Sequence, residues 1–504
     1  MDYPFWDTGI GYGALMAAYA VLHVFVSHFA IGGGLYLVIA ESSARKAGDD
    51  RRLEYLEGMT KFFVLVTLVF GALTGVGIWF IIGLINPAAT ELLIHNFVWG
   101  WAIEWTFFVV EIASAIIYFY GWKRMTARNH LVVGWIYFAA AWLSLVVING
   151  IVCFMLTPGR WLETGNFWDG FFNPTYWPSL AFRTAICVVL AGVYAMLVAS
   201  RQKPPEFKSK LVRYNAVWSM VGLVILVPSF LWYWSAIPSS IVEQALERMP
   251  TPIASLNAAY LNAGILAVLV VVFGLIIPRR MSTVVAVLLM IFSLSFFGEF
   301  EWMRESIRKP YVVYGYMYGN AVERADQKKY KKDGYLPHIA FRTGDDGADL
   351  FRHACRSCHT IGGYKPLAPV FDGTNPQFIA DITLAADLLK GNMPPFLGTE
   401  NEASLIAEHI WNQVDQRPFE QVYGLKGVEL GAKVFEVRCG TCHVFGGYRD
   451  NRGTLVGLEK EDYDDILDNG ADFGDGMPDF TGSAKEREAL IQYLLSLEEG
   501  GGNS

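Results

Sequence analysis

Eight apolar stretches, each long enough to cross a bilayer as a helix, follow one another in the first 302 residues: about 14–41, 60–85, 96–121, 129–157, 176–200, 213–236, 255–277 and 282–302. A spanning helix needs roughly 20 such residues, because backbone groups in hydrocarbon can bond only to each other. That requirement confines this part of the chain to an all-α, polytopic membrane helix bundle. Residues 304–504 read as ordinary soluble sequence. Composition agrees: 53% of residues are hydrophobic and 17% charged, where a soluble protein carries about a quarter charged residues. A net charge of −8 argues against nucleic acid as a partner. The first stretch has no small-residue cleavage site and reads as a retained helix.

Positive charge between the stretches predicts the orientation. Arg45, Lys46, Arg51 and Arg52 follow the first, Lys123, Arg124 and Arg128 the third, Arg201, Lys203, Lys208 and Lys210 the fifth, and Arg279 and Arg280 the seventh. The alternate loops carry only Arg160 and Arg248. The positive-inside rule then puts both ends of the bundle outside, in the periplasm of a bacterial inner membrane. Arg304, Arg308 and Lys309 after the eighth stretch run mildly against it.

The soluble part carries Cys355-Arg356-Ser357-Cys358-His359 and Cys439-Gly440-Thr441-Cys442-His443. Cys-x-x-Cys-His is the attachment motif of haem c: two thiols one helical turn apart add to the two vinyl groups, and the adjacent histidine reaches the iron. A redox dithiol or a zinc half-site is the alternative for a lone Cys-x-x-Cys, but here the histidine follows directly, twice. Met393 and Met477, each before a proline and each 34 residues after its histidine, are expected as distal ligands. Met–His ligation raises a haem's potential relative to bis-histidine. The equal spacing belongs to an internal repeat that includes Gly-Gly-Tyr at 362–364 and 446–448. It resembles two tandem class I cytochrome c domains, at 345–417 and 425–497, joined by a linker (313–344) to a membrane domain (1–312). His338 and His353 read as surface histidines, with a haem-ligand role as the alternative, and Cys153 and Cys187 as inert packing. The acidic run Glu459 to Asp475 reads as a solvated face or a docking patch for a basic redox carrier.

Ionisable residues inside membrane spans are costly and usually functional. His23 and His28 lie about 140° apart around one helix, so one of them, His23 in this reading, ligates a haem. Glu104 and Glu111, two turns apart, share one helix face and suggest a proton path or a haem-edge environment, since a buried salt bridge has no obvious cation nearby. Glu299 lies deep enough to be a weak iron ligand or a proton donor.

These residues resemble subunit I of the cytochrome bd quinol oxidases over about residues 14–200 and, more weakly, 282–315. The run from His23 through Gly32 to Glu41 looks like the family's first helix with its high-spin haem ligand. Thr60-Lys61-Phe62, Gly71 and Thr74-Gly75 resemble its second. Glu104 and Glu111, followed by Gly121-Trp122, look like its third, with the acids near paired high-spin haems. Ser144 and Asn149-Gly150 resemble the fourth, and Glu299 with Trp302 the family's second haem-site glutamate. Arg308-Lys309-Pro310-Tyr311 is a degraded version of a family motif.

Three departures stand out. Arg183 occupies the position of the low-spin haem histidine, where pairing with a haem propionate or with a carboxylate are both open. No methionine stands near 255–262. Only about 18 residues join the sixth and seventh helices where the family has its quinol-binding loop. The resemblance therefore implies a cytochrome c-linked oxidoreductase holding two covalent haems c and one or two buried haems b or d. Its partners would be the lipid bilayer, a subunit II-like or other membrane subunit, a periplasmic redox protein and a small gas, O2 or NO. An electron-transfer subunit relaying electrons between the quinone pool and periplasmic cytochromes, without gas chemistry, stays open as the alternative.

Overall fold

The computed structural model describes residues 8–474 and 476–497; Asp475, the last acid of the run noted above, lies outside them. Among the described residues eight helices are long and apolar enough to cross a membrane: α1 (Tyr12–Ala47), α2 (Asp50–Ile85), α3 (Val98–Gly121), α4 (Ala127–Phe154), α5 (Tyr176–Ala199), α6 (Pro205–Ala236), α7 (Pro250–Ile276) and α8 (Thr283–Ile307). Several run beyond the apolar stretches that announce them. Amphipathic turns such as Asp50–Met59 and Pro205–Val212 continue a helix whose apolar part alone is visible in hydropathy.

The bundle is built around α5, 72% of whose apolar window is buried inside the protein, against 33% or less for the other seven. α1 and α6 pack on opposite sides of it, α3 pairs with α4, and α7 pairs with α8. Helices in lipid associate through close backbone approach rather than a hydrophobic gradient. At the α1–α5 crossing a side chain on Gly32 would stand 1.8 Å from the Cys187 carbonyl oxygen, so only glycine fits. Buried polar bridges fix the register: Tyr36 donates to Asn215 (2.8 Å), and Tyr55 to the Ala195 carbonyl (3.0 Å). Cys153 and Cys187 are free and buried in this core. Leu73, Val76, Trp99 and Val224 are among many large apolar side chains left exposed on the outer faces of the bundle, as lipid contact requires.

After α8 the stretch 313–344 is folded. A hairpin pairs β1 (Tyr311–Val313) with β2 (Met317–Tyr318), and α9 (Gln327–Asp333) follows. Tyr318, Val322 and Tyr335 from this stretch enter the same core as Leu350, Phe351, Phe378 and Ile406 of the first haem unit. In that unit α10 (Asp346–Ala354) crosses α11 (Glu400–Trp411); in the second, α12 (Gly427–Val434) crosses α13 (Ala484–Leu495). Both crossings close on a glycine. A side chain at Gly347 would lie 2.6 Å from the Leu405 carbonyl oxygen, and one at Gly431 1.9 Å from that of Ala489.

Buried Glu402 ties the preceding stretch to this core. Its Oε1 accepts from the backbone N–H groups of Tyr335 and Leu336, each at 2.8 Å, and its Oε2 from that of Thr399, also at 2.8 Å. Glu402→Ala leaves three donors without their acceptor. It is expected to lower the stability of the first haem unit by about 2–3 kcal/mol, followed by loss of Soret dichroism in denaturant. An unchanged midpoint would show that water replaces the carboxylate at no cost.

Candidate functional site

The two Cys-x-x-Cys-His motifs sit in equivalent places 84 residues apart, and their surroundings repeat at the atomic level. His359 turns Nδ1 to the Lys365 carbonyl (3.2 Å), and His443 turns Nδ1 to that of Arg449 (2.9 Å). Lys365 and Arg449 both take positive φ, 44° and 48°. The residues before Met393 and Met477 do the same, Asn392 at 54° and Gly476 at 76°. Left-handed backbone at non-glycine positions is strained and persists where the surroundings demand it. Here it recurs at Lys365 and Arg449, which hold the two histidines, and at Asn392 before Met393. The four motif cysteines are free of disulfides. Among the described residues no three His, Cys, Asp or Glu side chains converge as a metal site, so a zinc reading lacks a ligand set. Burial pushes His359 down to about 4, which keeps its ring neutral and its Nε2 lone pair available. These residues fit a covalently held haem in each unit, with a histidine oriented through its second nitrogen.

His338 and His353 are not the surface histidines expected. His353 stacks on Tyr330 (6.3 Å) and meets Tyr335 edge-on (5.2 Å), while His338 meets Tyr330 (4.9 Å). Burial pushes His353 down to about 4. The folded 313–344 stretch supplies both tyrosines and so covers them.

In the membrane half, His23 faces α2. Its Nδ1 lies 3.2 Å from the Gly71 carbonyl and 3.2 Å from the Thr74 hydroxyl. Gly71 closes a π-helical turn, Leu65–Gly71, a local widening frequent at functional sites. The turn also walls an apolar cleft of about 430 Å³ with Leu22, Phe25 and Val26 of α1, Tyr194 of α5 and Leu294 of α8. That volume lies within the range of small-molecule and cofactor sites. His28, on another face of α1, is buried. Its Nδ1 is 2.7 Å from the Val24 carbonyl, its ring lies 5.1 Å from that of Phe297, and its Nε2 has no partner among the described residues. Each histidine thus has one nitrogen held by backbone and the other left for a ligand, which fits a haem inside the bundle.

Glu104 and Glu111 do share one face of α3, and that face meets α4. Ser144 donates to Glu104 (3.0 Å), and the Tyr137 hydroxyl lies 3.1 Å from Glu111 and 3.1 Å from the Ala30 carbonyl on α1. A hydroxyl has one proton to donate, so a proton on Glu111 satisfies the second contact. Glu299, half-buried on α8, has no hydrogen bond or ion pair among the described residues. Arg183 pairs with Glu301 (2.8 Å), which Arg304 also holds (2.8 Å). The Arg304 Nη1 is buried without a partner.

A second polar cluster escapes sequence reasoning. Buried Glu41 accepts from Arg45 (2.6 Å), from Tyr118 and from His130 Nδ1 (2.8 Å), while His130 Nε2 faces the Tyr118 carbonyl (2.8 Å). Its members come from α1, α3 and α4. The first-helix likeness marks Glu41 and the loop charges mark Arg45, but nothing local in the sequence links them to Tyr118 or His130.

The three units are in contact. Tyr364 N–H donates to the Ile10 carbonyl (3.1 Å), Arg356 to that of Thr8 (2.6 Å), and the Tyr364 ring meets Trp302 of α8. The second unit docks on the first through Lys390 N–H to the Thr441 carbonyl (3.2 Å) and Tyr448 hydroxyl to that of Leu388 (3.2 Å). The beginning of α1 and the end of α8 therefore lie on one face of the bundle, the face that carries both haem units.

Residues 14–236 match the family described as cytochrome bd terminal oxidase subunit I. Residues 342–410 and 427–494 match cytochrome c oxidase, cbb3-type, subunit III. No curated relative matches the chain. Among solved structures it is similar to the bd oxidase from Geobacillus thermodenitrificans, at 14% identity and a TM-score of 0.54, over 61% of this chain and 90% of that one. Identity that low establishes likeness of fold alone. Cytochrome c domains imply haem c, and the bd family implies haems b or d, so the combination supports a haem-based oxidoreductase in a membrane. The chain thus joins a stretch similar to cytochrome bd terminal oxidase subunit I, residues 14–236, to two stretches similar to the cbb3-type subunit III, residues 342–410 and 427–494.

Proposed function

We propose that the protein is a cytochrome c-linked, bd-like terminal oxidoreductase. It takes electrons from a periplasmic redox protein at the haem c pair and delivers them to a buried haem b or d, where a small gas is reduced. O2 is the first candidate by resemblance to the bd family and NO the second. The observation that carries this reading is His23: its Nδ1 is tied to Gly71 and Thr74, its ring lies against Gly75, and its α1 neighbours Leu22, Phe25 and Val26 wall an apolar cleft of about 430 Å³.

A haem bound there would supply iron with an open position for the gas. The chain's own residues would hold and feed it. His23 is the proposed ligand, with Glu299 on α8 as a second ligand or proton donor. Glu104 and Glu111 would store protons and pass them toward α1 through Tyr137, whose hydroxyl touches both Glu111 and Ala30. Ala30 lies two turns from His23 on the same face of α1. Arg183, held by Glu301, would steady that carboxylate at the outer end of α8 rather than pair with a haem propionate. His28 is a further candidate for a ligand.

The family's quinol-binding loop has no counterpart here. α6 and α7 are joined through one short helix, Ser239–Arg248, and this favours entry through the haems c. The periplasmic side follows from the loop charges. Part of the acidic run on the second unit is neutralised internally, since Arg487 pairs with Asp464 (2.8 Å) and Asp468 (2.6 Å). Glu461, Asp465 and Asp472 remain exposed for a basic carrier. A subunit II-like membrane partner would cover part of the exposed apolar surface.

His23→Ala is expected to abolish CO binding by the reduced protein and the high-spin spectrum, while the c-type bands stay intact. Retention of the high-spin bands in that variant rules out His23 as the ligand. Met393→Ala is expected to lower the midpoint potential of the first haem c, measured by optical titration. An unmoved potential assigns the distal position to another residue.

A further inference from the structure

We propose that Tyr364 and Trp302 form the electron bridge from the first haem unit into the membrane half, and that the second unit is therefore the entry point and the first the relay. The inference rests on the functional reading above and adds the route.

The hydrogen bonds of the two docking loops lead inward, while Arg248 of the membrane half lies over the Tyr448 ring (5.3 Å) as a cation contact that carries no aromatic path. The repeated Gly-Gly-Tyr loop docks each haem unit onto the next partner inward. Tyr448 of the second unit reaches the Leu388 carbonyl of the first (3.2 Å). Its own attachment motif touches the first unit's distal-ligand loop, Lys390 N–H to Thr441 carbonyl (3.2 Å), three residues before Met393. Tyr364 of the first unit instead reaches the bundle: its N–H donates to Ile10, and its ring meets that of Trp302 edge-on, with centroids 5.6 Å apart at 89°. The same loop thus serves two interfaces, one between haem units and one between haem unit and membrane.

The loop ties the bridge to the iron ligand. His359 Nδ1 bonds the Lys365 carbonyl, and Thr360, next to His359, donates to the Tyr364 carbonyl (2.9 Å). Tyr364 is therefore connected to the proximal histidine through two short hydrogen-bonded links. On the membrane side, Trp302 shares a face of α8 with Glu299, one turn away. The neighbouring Gly298 lies against α1, where an added side chain would stand 3.6 Å from Val21, two residues from His23. Electron tunnelling decays more steeply across gaps than through touching or bonded atoms. This run of contacts is therefore the favoured path between the first haem c and the His23 site. With haems bound, each transfer would take one electron from a ferrous haem c, oxidising it, and reduce a ferric acceptor held in the bundle. No bond is made or broken, and the electron is replaced from the periplasmic one-electron carrier through the second unit.

The test uses full-length holoprotein. A photoreduced flavin injects electrons into the haems c, and absorbance follows their arrival at the buried haem. Trp302→Ala and Tyr364→Ala are expected to slow this arrival by an order of magnitude, with haem content and all midpoint potentials unchanged. Trp302→Phe and Tyr364→Phe should restore most of the rate. Should an alanine variant lose haem, Trp302→Leu, which keeps apolar packing, carries the same comparison. Wild-type transfer with undiminished rates in the alanine and leucine variants overturns the bridge alone. A wild type in which electrons spread between the two haems c but never reach the bundle overturns the functional reading, and the bridge with it.

Discussion

A histidine presents one nitrogen to iron reliably only when its other nitrogen is held, and the four imidazoles that are candidates to face iron are held alike. Nδ1 of His23, His28, His359 and His443 each faces a backbone carbonyl, of Gly71, Val24, Lys365 and Arg449. The anchor fixes tautomer and ring direction together. In the soluble units it depends on a strained, left-handed residue six positions after the histidine. In the bundle it depends on a π-helical turn for His23 and on an ordinary helical turn for His28. Two different folds thus converge on one way of presenting a ligand nitrogen.

The placement of the haem units follows from the bundle's even number of helices. With the beginning of α1 and the end of α8 on one face, the tail folds back onto that face at once. The 313–344 stretch shortens the reach further by folding into the core of the first unit. Repetition then does the rest, because a loop that can grip a carbonyl and lay a tyrosine ring on a neighbour works on a second haem unit as well as on a helix end.

Much of this was legible in the sequence, for reasons particular to each feature. Lipid demands uninterrupted apolar length, so eight helices stand out by hydropathy, although their polar ends do not. Haem c attachment demands fixed covalent spacing, so Cys355 to His359 and Cys439 to His443 announce themselves. Helical period places Glu104 and Glu111 on one face, but not which helix they meet, because Tyr137 and Ser144 arrive from packing distant in sequence. Arg183 and Glu301 are 118 residues apart, and nothing local distinguishes that pairing from a propionate contact. The π-helical turn at Leu65–Gly71 leaves no compositional trace. The partial covering of His338 and His353 depends on a stretch that reads as a linker, since its core residues Tyr318, Val322 and Tyr335 are too sparse to form a periodic pattern.

The proposed circuit requires porphyrin inside the bundle as well as on the two soluble units. A pyridine haemochrome spectrum of the purified full-length protein, calibrated against protein mass, measures this directly. The account predicts two haems c per polypeptide together with at least one haem b or d released by acid acetone. Two thioether-bound haems and nothing extractable would contradict it, and the membrane half would then be an anchor rather than a destination for electrons.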